Sequence, residues 1–156
     1  MGQTSKTSKL IEAAPEVLYK ALTSREALEV WQVPGDMTGK VHSFDLRVGG
    51  GYEMSLYYPE SEKENRGKTQ GKEDRFTVHF LELIPFKKIV ESVNFTTDNP
   101  DFAGEMIIEI TLEALGLKNN ETEVAFLFKN IPKGIRPEDN EAGTASSLEK
   151  LAGYVS

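Results

Sequence analysis

The sequence has no cysteine, which excludes disulfides and thiolate nucleophiles and fits a reducing compartment. It has only two histidines, His42 and His79, and neither falls in a metal-binding pattern such as H-E-x-x-H. With no thiolate to join them, a structural zinc site is not expected, and neither a metal nor a cofactor is implied. Basic residues are in deficit. The 18 Lys and Arg against 25 Asp and Glu leave a net charge of −7, which argues against a nucleic-acid partner, because phosphate binding needs a basic face. No apolar run approaches the roughly 18 residues of a membrane span, so no membrane insertion is expected. The first residues, MGQTSKTSK, lack the apolar core of a signal peptide. Cytoplasmic localisation is the expectation. The glycosylation patterns at Asn94-Phe95-Thr96 and Asn120-Glu121-Thr122 are read as coincidence in such a chain.

What is present describes an ordinary globule. The 156 residues are 38% hydrophobic and 28% charged. That length favours one domain spanning residues 1–156, burying roughly 70% of the extended chain's surface. Residues 1–8 read as a flexible N-terminal tail.

The chain then alternates in an orderly way. Lys9–Ala13 reads as a short strand, and Pro15 opens a helix whose apolar stripe is Val17, Leu18, Ala21 and Leu22. Ser24 is a suitable N-cap for a second short helix, Arg25–Trp31, ended by Pro34 and Gly35. Strand periodicity begins at Val41 and runs through Phe44 and Leu46, then resumes from Tyr52 to Tyr58. Gly49-Gly50-Gly51 lies between them and reads as a hairpin turn with a bulge. It is not a phosphate loop, since no helix pattern and no Lys-Ser or Lys-Thr pair follow. Pro59–Glu73 is charged and aperiodic, a solvated loop. Phe76, Val78 and Phe80 alternate before the apolar phase passes to Leu81 and Leu83, which predicts a bulge at Phe80–Glu82. Ile89–Phe95, Met106–Ala114 and Val124–Phe128 complete the strands.

The final segment, Pro137–Val155, predicts one long helix. Leu148, Leu151, Ala152 and Val155 fall on one face, and Glu138, Asp139 and Glu141 suit the positive end of the helix dipole. Its first half contains Ala142–Ser147, AGTASS, a run of small residues that either packs very closely or leaves space beneath it. Strands joined by short loops favour an antiparallel sheet. The expected fold class is therefore α+β: a curved antiparallel sheet wrapped around the long C-terminal helix, with two short helices after the first strand.

Several stretches carry a family resemblance. They are Ala14-Pro15-Glu16-Val17-Leu18-Tyr19, Phe44-Asp45-Leu46-Arg47-Val48-Gly49-Gly50, Leu81-Glu82-Leu83-Ile84-Pro85 and Phe102-Ala103-Gly104-Glu105-Met106. The most specific is Gly134-Ile135-Arg136-Pro137-Glu138-Asp139-Asn140-Glu141-Ala142-Gly143. Through these the chain resembles the SRPBCC superfamily, with its START-like, helix-grip fold, from Lys9 to Val155. Within it the chain is most similar to homologues of the C-terminal domain of the activator of the ninety-kilodalton heat-shock chaperone's ATPase. The resemblance implies an interior cavity between helix and sheet, used across the superfamily for lipids, hormones and polyketides. It also implies a link to stress response. Thr144 departs from the pattern, because relatives often carry Trp there.

On that basis the cavity is expected to be lined by Trp31, Met54, Tyr58, Phe80, Glu91, Phe95, Ile108, Ile110, Phe126, Phe128, Thr144 and Leu148. Glu91 shares its strand phase with Ile89, Val93 and Phe95. Two kinds of reading are open: a carboxyl among apolar groups that orients a ligand or moves a proton, or an ordinary residue, because Val90, Ser92 and Asn94 face inward instead or because Glu91 sits at the rim. His79 is either a pocket residue turned inward by the bulge or an ordinary half-buried histidine. No nucleophile elbow is present, since Gly143-Thr144-Ala145-Ser146-Ser147 lacks the G-x-S-x-G order.

The leading expectation is a non-enzymatic binder of a small hydrophobic molecule, lipid-like, aromatic or polyketide-like. One alternative is a module that regulates a chaperone ATPase. The resemblance implies that such an activator carries a further N-terminal domain, for which this sequence leaves no room. The other alternative is a cyclase-like enzyme using a cavity Glu or His.

Overall fold

A computed structural model describes residues 2–33, 36–59, 73–116 and 120–156. The elements follow one another as strand β1 (Gln3–Ile11), helices α1 (Pro15–Leu22) and α2 (Arg25–Trp31), strands β2 (Thr38–Asp45), β3 (Gly51–Tyr57), β4 (Glu73–Ile84), β5 (Lys88–Phe95), β6 (Met106–Leu115) and β7 (Glu121–Ile131), and helix α3 (Pro137–Val155). A single 3-10 turn, Pro100–Phe102, interrupts the β5–β6 connection. The predicted ends at Pro34 and Gly35, and most of the predicted loop from Pro59 onward, lie outside the described residues.

All seven strands form one antiparallel sheet in the order β1-β7-β6-β5-β4-β3-β2. Each strand from β2 to β7 therefore pairs with its neighbour in sequence, and the first strand closes against the last. The sheet bends where register shifts between Phe80 and Glu82, at the predicted bulge. A second shift falls between Val41 and Ser43, so the β2–β3 bulge is not at the three glycines. Those glycines form the hairpin turn, and their own backbone pairs with β4 through Gly49 N–H to Phe80 O and Phe80 N–H to Gly50 O, each 2.9 Å.

The expected flexible tail is corrected. Residues 3–11 are a full strand in register with β7, Ser5 opposite Phe128 and Thr7 opposite Phe126. Alternation is present there, but in polar residues, because this strand turns its inner face to α3 rather than to the apolar core. Ser5 is buried and its hydroxyl hydrogen-bonds to Asn140 Oδ1, while Lys9 pairs with Glu149 at 3.2 Å. A hydrophobicity pattern cannot detect such a strand.

The core fills the concave face. Phe80 and Val78 from β4, Ile89 from β5, Ile110 from β6 and Val124 from β7 are each at most 2% exposed. Leu18, Leu22 and Leu28 close it from α1 and α2, and Leu148 and Leu151 from α3. Each such leucine removes enough apolar surface to stabilise the fold by about 1.5–3 kcal/mol. Helix α2 is tied to β2 at its two ends: Arg25 Nη2 donates to Val41 O at 2.9 Å, and Val41 N–H donates to Glu29 Oε2 at 2.8 Å. The second half of α3 is thus packed, while the first half is not.

Candidate functional site

Under the AGTASS half of α3 lies a cavity of about 440 Å³, within the range of small-molecule sites. Asn140, Gly143, Thr144 and Ser147 form its roof. A side-chain carbon added at Gly143 would meet nothing within 4 Å. The small residues therefore leave space rather than bring backbones together. Thr144 donates its hydroxyl to Asn140 O at 2.8 Å, which satisfies that group within the helix.

The sheet supplies the floor and walls. Trp31, Tyr58, Glu91, Phe95, Ile108, Phe126, Phe128 and Thr144, all expected at the cavity, do line it. Met54, Phe80, Ile110 and Leu148 do not. They are at most 2% exposed and belong to the packed core, displaced from the cavity by neighbours in the same phase. Tyr52 takes the place expected of Met54, and Phe76 and Val78 that of Phe80. Val93 and Met106 extend the wall along the strand pairs that already carry Glu91 and Ile108. The alternation contained these residues, but it could not say which rung of each strand faces empty space. Met37, Phe102, Gly134 and Ile135 enter from connecting segments, where no periodic signal exists.

The rings are held in fixed orientations. Trp31 meets Phe126 edge-on at a centroid distance of 6.1 Å, and its indole N–H donates to Ala21 O at 2.9 Å. Phe126 stacks on Phe128 at 6.3 Å, and Phe76 meets Phe95 edge-on at 6.2 Å. Buried aromatic pairs of this kind add about 0.5–1.5 kcal/mol each beyond area burial.

Polar groups are few and specific. Tyr52 donates its phenol to Gln32 Oε1 at 3.1 Å, and Ser147 donates to Gln32 O at 3.3 Å, so three elements meet around Gln32. Tyr58 donates to Asp74 Oδ2 at 3.0 Å. Glu91 is the exception. It is 5% exposed, it lines the cavity, and no described residue makes a hydrogen bond or ion pair with its carboxyl. Burial raises its pKa to about 8, so near neutral pH it carries a proton. Burial, assisted by the charge Glu91 can carry, also holds the Tyr52 phenol well above its ordinary value.

Of the two readings of Glu91, the structure selects the inward one. Asn94 is exposed and Val90 only half-buried, although the small Ser92 side chain is also buried. The inward reading of His79 is corrected. The bulge begins one residue later, so His79 stays on the outer face and is exposed. His42 is half-buried, with its ring nitrogen 2.9 Å from Ser55 Oγ. Among the described residues no group of His, Cys, Asp and Glu could hold a metal ion. The arrangement can hold an apolar body and offer it the Glu91 carboxyl.

Comparisons with known proteins agree with this architecture. Residues 12–156 match the model of the family described as "Activator of Hsp90 ATPase homolog 1-like protein". Among solved structures, the chain is similar to protein CV1439 from Chromobacterium violaceum, at 31% identity and a TM-score of 0.83, covering 97% of this chain and 96% of that one. A protein from Arthrobacter aurescens shares the fold at 14% identity and a TM-score of 0.78, covering 97% and 85%. One from Staphylococcus epidermidis does so at 18% identity and a TM-score of 0.75, covering 99% and 90%. No curated protein matches the chain.

Proposed function

Since the chain belongs to the Activator of Hsp90 ATPase homolog 1-like family, we propose that it uses the family's helix-over-sheet architecture to bind a small hydrophobic ligand between α3 and the sheet. The observation that carries this reading is the cavity of about 440 Å³ beneath the small-residue half of α3. Its walls are aromatic and aliphatic side chains with a few polar groups, the usual form of a small-molecule site. An apolar occupant of this space gains stability by removing its own surface and the cavity wall from water.

The geometry supports binding better than catalysis. Glu91 faces the cavity as an acid would, but no described side chain orients it, and general acid–base work depends on a positioned group. The chaperone alternative draws on the family description, and ATPase stimulation of the cognate chaperone is its direct assay. The cavity reading is tested by a thermal-shift screen of the protein against aliphatic, aromatic and lipid-like compounds. A saturable rise in Tm with an apolar compound is expected. A flat response across all three classes, with no retained species in native mass spectrometry, would refute it.

A further inference from the structure

The chemical class of the ligand can be taken further, on the premise that the cavity binds one. Glu91 sits in mid-strand on β5 between its cross-strand neighbours Phe80 and Ile108. The residue is 5% exposed, its carboxyl lines the cavity, and no described residue hydrogen-bonds or ion-pairs with it. A buried ionisable group without a partner is costly, and it is where a ligand of the complementary kind gains most.

The surroundings decide the kind. The other titratable groups on the lining are Tyr52 of β3, Tyr58 just after it, Asp74 of β4 and Asp139 of α3. Asp139 lies at the exposed end, 3.8 Å from Arg136. The cavity-facing residues of β6, β7 and α2 add no ionisable group, and the described lining contains no Lys, Arg or His. Around these acids stand the rings of Trp31, Phe76, Phe95, Phe102, Phe126 and Phe128. Ring faces attract cations, more strongly when water is excluded. A ligand carboxylate would find no cation on this lining.

We propose that Glu91 is the recognition group of the cavity and that its ligand is a hydrophobic amine, with the ammonium on the Glu91 carboxylate and the apolar body against the aromatic wall. The protons balance as follows. Free Glu91 is protonated near neutral pH, the amine arrives as ammonium, and the ion pair forms with release of one proton to solvent. Binding therefore strengthens as pH rises toward the Glu91 pKa of about 8. A neutral alcohol exchanges no proton on binding, since its hydroxyl can accept from the protonated carboxyl or donate to the carboxylate, so its binding lacks this steep rise with pH.

Isothermal titration calorimetry on the full chain with 4-phenylbutylamine, 4-phenylbutanol and 4-phenylbutanoate separates these cases. The amine is expected to bind at least about tenfold more tightly than the alcohol, as for a desolvated charge pair. Glu91→Gln should abolish that preference, because the amide has no charge to pair with the ammonium. The amine should also gain up to about tenfold per pH unit below pH 8 and release about one proton per ligand near pH 7, seen with two buffers of different ionisation enthalpy. An alcohol that binds as well as the amine, or an amine preference unchanged in Glu91→Gln, would overturn the proposal and leave the binding reading standing. Failure of all three probes would overturn both. If Glu91→Gln does not fold, the wild-type pH profile and proton count decide alone.

Discussion

Tyr52 on β3 and Glu91 on β5 line the same cavity with their acidic groups interacting, so that ionisation of one opposes ionisation of the other. Tyr52 has a second tie, its hydrogen bond to Gln32 at the end of α2. Glu91 has none. The pair thus consists of an anchored phenol and an unanchored carboxyl, and the carboxyl is the group that responds to pH and to whatever enters.

That asymmetry predicts a stability profile. Glu91 titrates near the ordinary 4.5 when unfolded and at about 8 when folded. Between those values the folded chain holds more protons than the unfolded one, so stability falls as pH rises through this window and the Glu91 contribution levels off above pH 8. The full shift corresponds to a penalty on the order of 3–5 kcal/mol. Glu91→Gln keeps the shape and removes the charge. It should leave stability near pH 4 almost unchanged and raise it by a few kcal/mol at about pH 8, read as urea midpoints at both values. Equal midpoint shifts at the two pH values would contradict the assignment.

Thr144 controls how much space remains. It is 7% exposed and points its small side chain into the cavity from α3. Thr144→Trp places an indole in that space, where it gains apolar burial at the cost of the Thr144–Asn140 hydrogen bond, a loss of about 1 kcal/mol. Probe binding should fall by about tenfold or more, while Tm holds or rises, because filling a cavity stabilises. A collapse in Tm would show that the space is smaller than its outline suggests.

The sequence carried much of this. Strand phase at Met106–Leu115, the bulge at Phe80–Glu82 and the helix over Pro137–Val155 are all visible because each follows an apolar period that one buried face imposes. Eight of the expected lining residues stand at the cavity for the same reason. Met54, Phe80, Ile110 and Leu148 share that period but are closed off inside the packed core. Their burial is identical in pattern and differs only in what lies opposite. Phe102, Gly134 and Ile135 come from turns whose position depends on tertiary contacts, such as Gly134 N–H to Asp101 O at 2.7 Å. No local pattern encodes those.

Gly51 should not tolerate a side chain. A carbon added there would lie 1.8 Å from the carbonyl oxygen of Val78 on the paired strand. That atom is backbone within a hydrogen-bonded ladder and cannot turn aside, so β3 and β4 must separate. Gly51→Ala should cost about 3 kcal/mol or more. Gly49→Ala is the control for backbone conformation: its φ of 90° is strained for alanine, but nothing lies within 4 Å, and a cost of about 1 kcal/mol is expected. A chemical-denaturation series that ranks Gly49→Ala as the worse of the two would refute the close-approach account.

The polar first strand makes the sharpest claim about the fold. Hydrophobicity alone treats residues 1–8 as dispensable, whereas pairing places Gln3 to Ile11 along β7 and against α3. Removing residues 2–8 would unpair much of β7 and expose the inner faces of Phe126 and Phe128, both cavity residues. It would also release Asn140 from Ser5 and Gln3 from the carbonyls of Pro132 and Ile135, at 3.1 and 3.0 Å. These last bonds brace the turn that launches α3. The truncated chain should therefore lose several kcal/mol, since each lost bond is worth about 1 kcal/mol before any apolar exposure is added. Hydrogen exchange should show the loss concentrated in β7 and the first turns of α3. Unchanged protection there would restore the tail reading of these residues.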